Sequence, residues 1–209
     1  MSIKLVVRMN EKRWPYSTPG VDDALFVRGD VPMTKKEVRV ISLAQAKIQP
    51  NSIIYDIGAG TGSFTVEAAI CAPEGRVYAI EKEQAGIDLI SRNVDKFGLT
   101  NVEIIHGTAP QVLHGLPRPD VVFLGGSGGN LREILTRITE VLLPGGRLVA
   151  NVLVLEHLAE LVSFLKAGSF TGVEITQVAV SKAAPLGIKH MFKGSNPVYV
   201  ISARRDSSQ

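Results

Sequence analysis

Between Asp56 and Gly62 the chain reads Asp-Ile-Gly-Ala-Gly-Thr-Gly, with glycines at Gly58, Gly60 and Gly62 and Ala59 and Thr61 between them. Glycine has no Cβ, so a ligand can lie against the backbone there, facing the unpaired N–H groups of a helix start. A dinucleotide fingerprint wants its third glycine three residues after the second, where this chain has Ser63, and the pyrophosphate reading is weakened accordingly. Asp56 instead sets a carboxylate beside the loop, which suits a ligand carrying positive charge. S-adenosyl-L-methionine, with its sulfonium and α-ammonium groups, has that charge. Glu81 stands 19 residues after Gly62, where a carboxylate can accept both hydroxyls of a ribose. A second glycine run, Gly125-Gly126-Ser127-Gly128-Gly129, offers a wide surface bare of side chains, with backbone N–H groups suited to carboxylates. That is room for a large, flat substrate.

The residues around these groups define the elements that must position them. Ile53, Ile54 and Tyr55 read as a buried strand, and Phe64, Val66, Ala68, Ala69 and Ile70 as the helix after it. The first glycine run is therefore a strand-to-helix turn. Further strands are predicted over 76–81, 102–106, 120–124 and 147–152, and helices over 84–97, 131–142 and 155–167. Glu81 and the second glycine run then both fall at strand ends. Thr34 and Glu37 have capping-box spacing and predict a helix with an apolar face of Val38, Ile41, Ala44 and Ile48, ended by Pro50 and Asn51. Thr34 is a cap first, and its hydroxyl could also reach the ligand. Residues 173–180 and 198–203 read as two closing strands joined by a long loop over 181–197. Lys182, Lys189, His190 and Lys193 make that loop either a solvated charged segment or a cationic lid. The fold expected is α/β and Rossmann-like: a doubly wound, mostly parallel seven-stranded sheet with right-handed crossovers and an antiparallel strand near the C-terminal end.

A chain of 209 residues with 45% hydrophobic content suits one domain, here residues 31–209 preceded by an N-terminal arm over 1–30. The arm is rich in proline, glycine and charge, and its Trp14 and Tyr16 either pin it to the body or stack on a flat ligand. The net charge of +3 is mild and spread out, with no basic block of the kind that binds nucleic acid. One cysteine, Cys71, precludes an intrachain disulfide and reads as a core thiol. There is no long apolar run, so neither a signal peptide nor a membrane span is expected, and the protein is expected to be cytoplasmic. His106 has no second ligand type at metal-binding spacing, so no metal is expected. The last residues, 204–209, read as a frayed end.

The Asp-x-Gly-x-Gly-x-Gly run and the Pro144-Gly145-Gly146 turn resemble class I methyltransferases. Members that methylate exocyclic amines carry an Asn-Pro-Pro-aromatic segment after the fourth strand; this chain has glycines there, which argues for a carbon or oxygen target. A closer resemblance rests on Val31-Pro32-Met33-Thr34-Lys35, the first glycine run, Gly107-Thr108-Ala109-Pro110, the second glycine run, and the tail from Lys182 through His190 and Lys193 to Asn196-Pro197. Together these are similar to the cobalt-precorrin-6B methyltransferases (decarboxylating) of cobalamin biosynthesis, the CbiT family, from about Asp22 to the last strand.

The resemblance implies methyl transfer from S-adenosyl-L-methionine to carbon-15 of a corrin precursor, a tetrapyrrole, with loss of carbon dioxide from its carbon-12 acetate. It implies a homotetramer and leaves room for a companion precorrin methyltransferase. Thr34, Asp56, Gly58 to Gly62, Glu81, Thr108 and Ala109 would hold the cofactor, Thr108 standing where the family usually has an acidic residue. Candidates for the substrate are the glycine surface Gly125, Gly126, Ser127 and Gly128, then Asn151, and the cations Arg28, Lys35, Lys182, Lys189, His190 and Lys193. No residue is assigned as catalytic acid or base. Two other readings stay open: a tRNA adenine methyltransferase of the same fold, which would add an N-terminal RNA-binding domain, and a subunit that binds S-adenosyl-L-methionine without turnover.

Overall fold

The structure, a computed structural model, describes residues 14–16 and 18–207. The expected arm thus comes into view at Trp14, and its residues 1–13 lie outside the described residues. In chain order the elements are α1 (Lys36–Ala46), β1 (Ile53–Ile57), α2 (Ser63–Cys71), β2 (Arg76–Glu81), α3 (Gln84–Phe97), β3 (Val102–His106) and β4 (Val121–Leu124). They continue as α4 (Leu131–Val141), β5 (Arg147–Val152), α5 (Leu155–Ala167), β6 (Phe170–Val178), β7 (Ser181–Leu186), β8 (Lys189–Gly194) and β9 (Val198–Arg205). Seven strands form one sheet in the order β3-β2-β1-β4-β5-β9-β6, parallel through β5, with β9 antiparallel to both its neighbours.

Helices cover both faces of this sheet, which is why its central strands are apolar without alternation. Ile54, Val121 and Phe123 pack with Val38, Leu43, Phe64 and Ala68 on the α1/α2 face, where the Phe64 and Phe123 rings stack at 5.1 Å. Tyr55, Val122 and Leu148 pack with Leu135, Ile138 and Leu161 on the α4/α5 face. Chain order reverses between β1 and β4, so the turns after these two strands lie side by side at their C-terminal ends. In open α/β sheets that crevice is where ligands bind.

Four local expectations are corrected. The capping box does not form, because Lys35 rather than Thr34 is the N-cap and makes no side-chain cap; the Lys36 N–H donates instead to Asp23 Oδ1 at 3.1 Å. Helix α1 stops at Ala46, four residues before Pro50, because Lys47 takes a left-handed conformation at φ 49°. The segment over 181–197 is no loop: β7 and β8 pair from Ser181–Gly194 to Leu186–Lys189 as a two-stranded ribbon. Arg204 and Arg205 belong to β9, where the Arg205 carbonyl accepts from the Gly145 N–H and the Arg205 N–H donates to the Gly146 carbonyl.

The stretch from Thr18 to Lys35 crosses the body as a strap, tied down by residues far away in sequence. Arg39, wholly buried on α1, donates through Nε to Glu67 Oε1 at 2.6 Å, through Nη1 to Asp23 Oδ1 at 2.9 Å and the Thr34 carbonyl, and through Nη2 to the Val21 carbonyl at 2.6 Å. The other carboxylate oxygen of Glu67 accepts from the Gly20 N–H. Asn93, also wholly buried, accepts from the Val27 N–H at 2.7 Å and donates to the Val27 carbonyl at 3.1 Å and the Thr61 carbonyl at 2.9 Å. Trp14 donates to the Thr18 carbonyl and packs with Val21, Phe26 and Phe97, so it pins the strap; Tyr16 meets it edge-on.

Removing one partner of a buried ion pair strands the other charge without compensation. Arg39→Ala is therefore expected to cost about 3–5 kcal/mol, read as a fall in melting temperature on the order of 10 °C in thermal unfolding. Arg39→Lys should recover only part of it, since an ammonium cannot reproduce the fork of donors.

Candidate functional site

The turn after β1 is built on three left-handed glycines, with φ of 73° at Gly58, 56° at Gly60 and 76° at Gly62. Two of them are also in close contact. A Cβ on Gly58 would stand 2.8 Å from the Gly126 nitrogen, and one on Gly62 would stand 3.1 Å from the Ile90 Cα. Backbone conformation and packing therefore demand these glycines before any ligand is considered.

Glu81, at the end of β2, is almost enclosed and organises this turn. Its Oε2 accepts from the Gly60 N–H at 2.9 Å, and its Oε1 accepts from the N–H groups of Lys82 at 2.8 Å and Glu83 at 2.9 Å. Gly86 leaves room for it, since a Cβ there would come within 2.7 Å of the Glu81 Cγ. An ionised carboxylate offers about four acceptor positions, of which three are used. The expectation of a two-hydroxyl acceptor narrows to one remaining position, on Oε2. Glu81 lines a cavity of about 180 Å³ together with Gly58, Thr108, Ala109 and Gly126.

Asp56 is 2% exposed and accepts from the Thr65 hydroxyl at 2.6 Å. Burial pushes its carboxyl up to about 6; the Thr65 hydrogen bonds oppose that rise and the nearby Glu81 charge adds to it. Asp56 lines a second cavity, of about 330 Å³, with Thr34, Lys35, Gly58 to Thr61, Gly125, Asn151 and Asn196. Asn151 is oriented by the buried Ser42, whose hydroxyl donates to its Oδ1 at 2.9 Å. A third cavity, of about 350 Å³, lies over Gly125 to Gly129 and reaches Asn151, Leu153 and His157. The second and third share Gly125, Asn151 and Leu153.

Of the residues picked out from the sequence, Thr34, Lys35, Asp56, Gly58, Ala59, Gly60, Thr61, Glu81, Thr108, Ala109, Gly125, Gly126, Ser127, Gly128 and Asn151 line these three cavities. Gly62 supports the loop from behind, against α3. Most of the proposed cationic anchors stand elsewhere. Arg28 donates to the Asp23 carbonyl at 3.2 Å, and Lys182 pairs with Glu37 at 2.7 Å. Lys189, His190 and Lys193 are exposed along β8 and line none of the three cavities. His106 makes the local bond expected of it, to the Lys82 carbonyl at 3.1 Å. Arg39, Asn93 and Ser42 escaped the sequence reading. Glu67 carried a signal for the first of them, because an acid amid Phe64, Val66, Ala68 and Ala69 on a core helix needs a buried cation as partner.

The model of the precorrin methyltransferase domain matches residues 25–205. The chain belongs to the precorrin methyltransferase family. Within that family it is 37% identical over 196 residues to a probable cobalt-precorrin-6B C(15)-methyltransferase (decarboxylating) of Saccharolobus solfataricus, covering 92% of this chain and 98% of the relative. It is 38% identical over 187 residues to the Salmonella typhimurium cobalt-precorrin-6B C(15)-methyltransferase (decarboxylating), covering 89% of this chain and 96% of the relative. The precorrin-6y C5,15-methyltransferase of Geobacter metallireducens superposes with a TM-score of 0.85 at 37% identity, over 90% of this chain and 98% of that one. The family match runs from residue 25, within the strap, through both glycine turns and the β7–β8 ribbon to residue 205.

The two glycine turns make opposite predictions. Gly58→Ala forces a left-handed alanine into the Gly126 backbone and should cost at least about 1–3 kcal/mol. At Gly126 a Cβ meets nothing within 4 Å, so Gly126→Ala should stay within about 0.5 kcal/mol of the parent while narrowing the open surface. Urea denaturation of the two variants checks both.

Proposed function

We propose that this chain methylates carbon-15 of cobalt-precorrin-6B from S-adenosyl-L-methionine and releases carbon dioxide from the carbon-12 acetate, a step of cobalamin biosynthesis. The observation that carries the reading is the union of a Glu81-centred nucleoside cavity with a wide surface of bare glycine backbone, in a chain matched over 89–92% of its length by relatives of that name.

The residues present fit the cofactor. Glu81 keeps one acceptor position on Oε2 for a ribose hydroxyl. Thr108 and Ala109 border the same cavity, where an adenine would lie. Asp56 offers a carboxylate on the side where Thr34, Ala59 and Thr61 enclose the second cavity, suited to the cationic end of the molecule. S-adenosyl-L-methionine, when bound, supplies an electrophilic methyl group on a sulfonium.

The chain's own contribution is placement. As the ring carbon gains a methyl, the carboxylate of the acetate leaves as carbon dioxide and the electron pair of the broken carbon–carbon bond stays with the conjugated ring; the proton taken up by the methylene left behind is balanced by the one the methylated carbon gives up, so no net proton is gained or lost. The lining agrees with that balance: the ionisable side chains of the second and third cavities are Lys35, Asp56 and His157. Holding the reacting carbon in line and close to the donor is worth up to about 7–11 kcal/mol in model reactions. Lys35 is the cation placed to hold a ring carboxylate, through a charge-assisted hydrogen bond.

The assembly is a homotetramer, and the ribbon supports that, with Leu186, Ile188, Met191 and Phe192 all exposed on it. Methylation at the other ring carbon falls to a companion precorrin methyltransferase. Among the described residues no helix is long and apolar enough to cross a membrane, and the reaction is assigned to the cytoplasm.

Incubation with a corrin precursor and labelled S-adenosyl-L-methionine should yield a product with one methyl gained and one carbon dioxide lost, by mass analysis. Methylation without that loss, or none on any tetrapyrrole, would refute the assignment. A second expectation follows from Asp56. A cation beside it favours the ionised carboxylate, so affinity for the cofactor should rise as pH climbs through about 6 and level off above 7. At pH 5 about one carboxyl in ten is ionised, and calorimetry should show binding up to roughly tenfold weaker than at pH 7.5. Asp56→Asn should flatten that profile.

A further inference from the structure

Directly after β5 the chain presents three large aliphatic side chains in a row to solvent: Leu153 is 62% exposed, Val154 47% and Leu155 70%. Scattered exposed leucines need no explanation, but a contiguous run at the ligand-binding edge of an α/β sheet does. Leu153 lines both the cavity holding Asp56 and the cavity over the glycine turn, and Val154 lines the latter. Opposite them, Gly126 and Gly129 would direct a Cβ into open space. The gap thus has bare peptide on one side and hydrocarbon on the other.

Its rim is different in kind. Lys35 stands at the strap side and His157 on the first turn of α5. The Lys82 amine lies across the glycine turn, 3.7 Å from where a Gly128 Cβ would be, in an exposed pairing with Glu83. An apolar slot edged by hydrogen-bond donors is complementary to a flat conjugated ring whose faces are apolar and whose periphery carries carboxylates.

We infer that Leu153 and Val154, extended by Leu155, form the wall against which one face of the tetrapyrrole rests, and that Leu153 sets which ring edge meets the methyl donor. The inference rests on the proposed function for the identity of the ring. The occupant is the substrate rather than another protein because the slot is continuous with the cavity bordered by the cofactor loop, through Gly125, Asn151 and Leu153.

Because these side chains are exposed, polar replacements should leave the fold intact. The probe is uroporphyrin, a flat octacarboxylate, titrated into the full-length protein and followed by its absorbance. Leu153→Ser/Val154→Ser should weaken its binding at least tenfold while melting temperature and oligomeric mass by light scattering stay unchanged. Leu153→Met, which keeps the apolar surface, should bind as the parent does. Undiminished binding in the serine variant, no binding by the parent, or a loss of binding that accompanies a change in oligomeric mass would each overturn the inference, the last by assigning the wall to contact between copies. Parent protein that binds the porphyrin yet methylates no corrin precursor would refute the proposed reaction and leave the wall standing. Methyl transfer with an unaltered substrate KM in the serine variant would do the reverse.

Discussion

The site depends on one buried ion pair. Arg39 and Glu67 lie on α1 and α2 with side chains sealed from water, and between them they bind the Gly20 N–H, the Val21 and Thr34 carbonyls and the Asp23 carboxylate. Isolated, either charge would carry a desolvation penalty of several kcal/mol; together, with both terminal guanidinium nitrogens bonded to the strap, the pair converts that penalty into a geometric constraint. The constraint is that residues 18–35 must run where they do, which brings Thr34 and Lys35 to the rim of the Asp56 cavity. Asn93 repeats the device from α3, joining Val27 on the strap to Thr61 in the glycine turn.

Glu81 plays the corresponding part inside the sheet. Three N–H groups from two separate turns converge on its carboxylate, and Gly86 on α3 has no side chain so that it can fit. It is therefore a structural clamp on the first glycine turn as well as a border of the cavity shared with Thr108 and Ala109. Asp56, two residues before Gly58, differs: its carboxylate accepts from the Thr65 hydroxyl, and burial pushes its carboxyl up to about 6.

Much of this was legible in the sequence. The strands at β2, β3 and β5 and the helices α3 and α5 are bounded by the residues that composition and period select, because buried parallel strands and amphipathic helices leave strong local patterns. The glycine turns, Glu81 and the family resemblance were likewise readable from residues close in sequence. What escaped was long-range or depended on competition. Thr34 and Glu37 have the right spacing for mutual capping, but Asp23 supplies the cap from a segment whose position the pattern around α1 does not encode. The ribbon was missed because its proline, glycines and lysines look like loop residues; its pairing is satisfied within one hairpin, and neither face is buried to impose alternation. The cations it carries, Lys182, Lys189, His190 and Lys193, line none of the three cavities.

The approach of the two glycine turns has one more implication. Gly58 and Gly126 meet backbone to backbone, and a Cβ on Gly125 would stand 3.1 Å from the Gly58 oxygen. No side chain lies between them to absorb a displacement by changing rotamer. The floor of the cavity beside Glu81 and the floor of the cavity over the second glycine turn are therefore mechanically one piece, and a displacement of either carries over to the other.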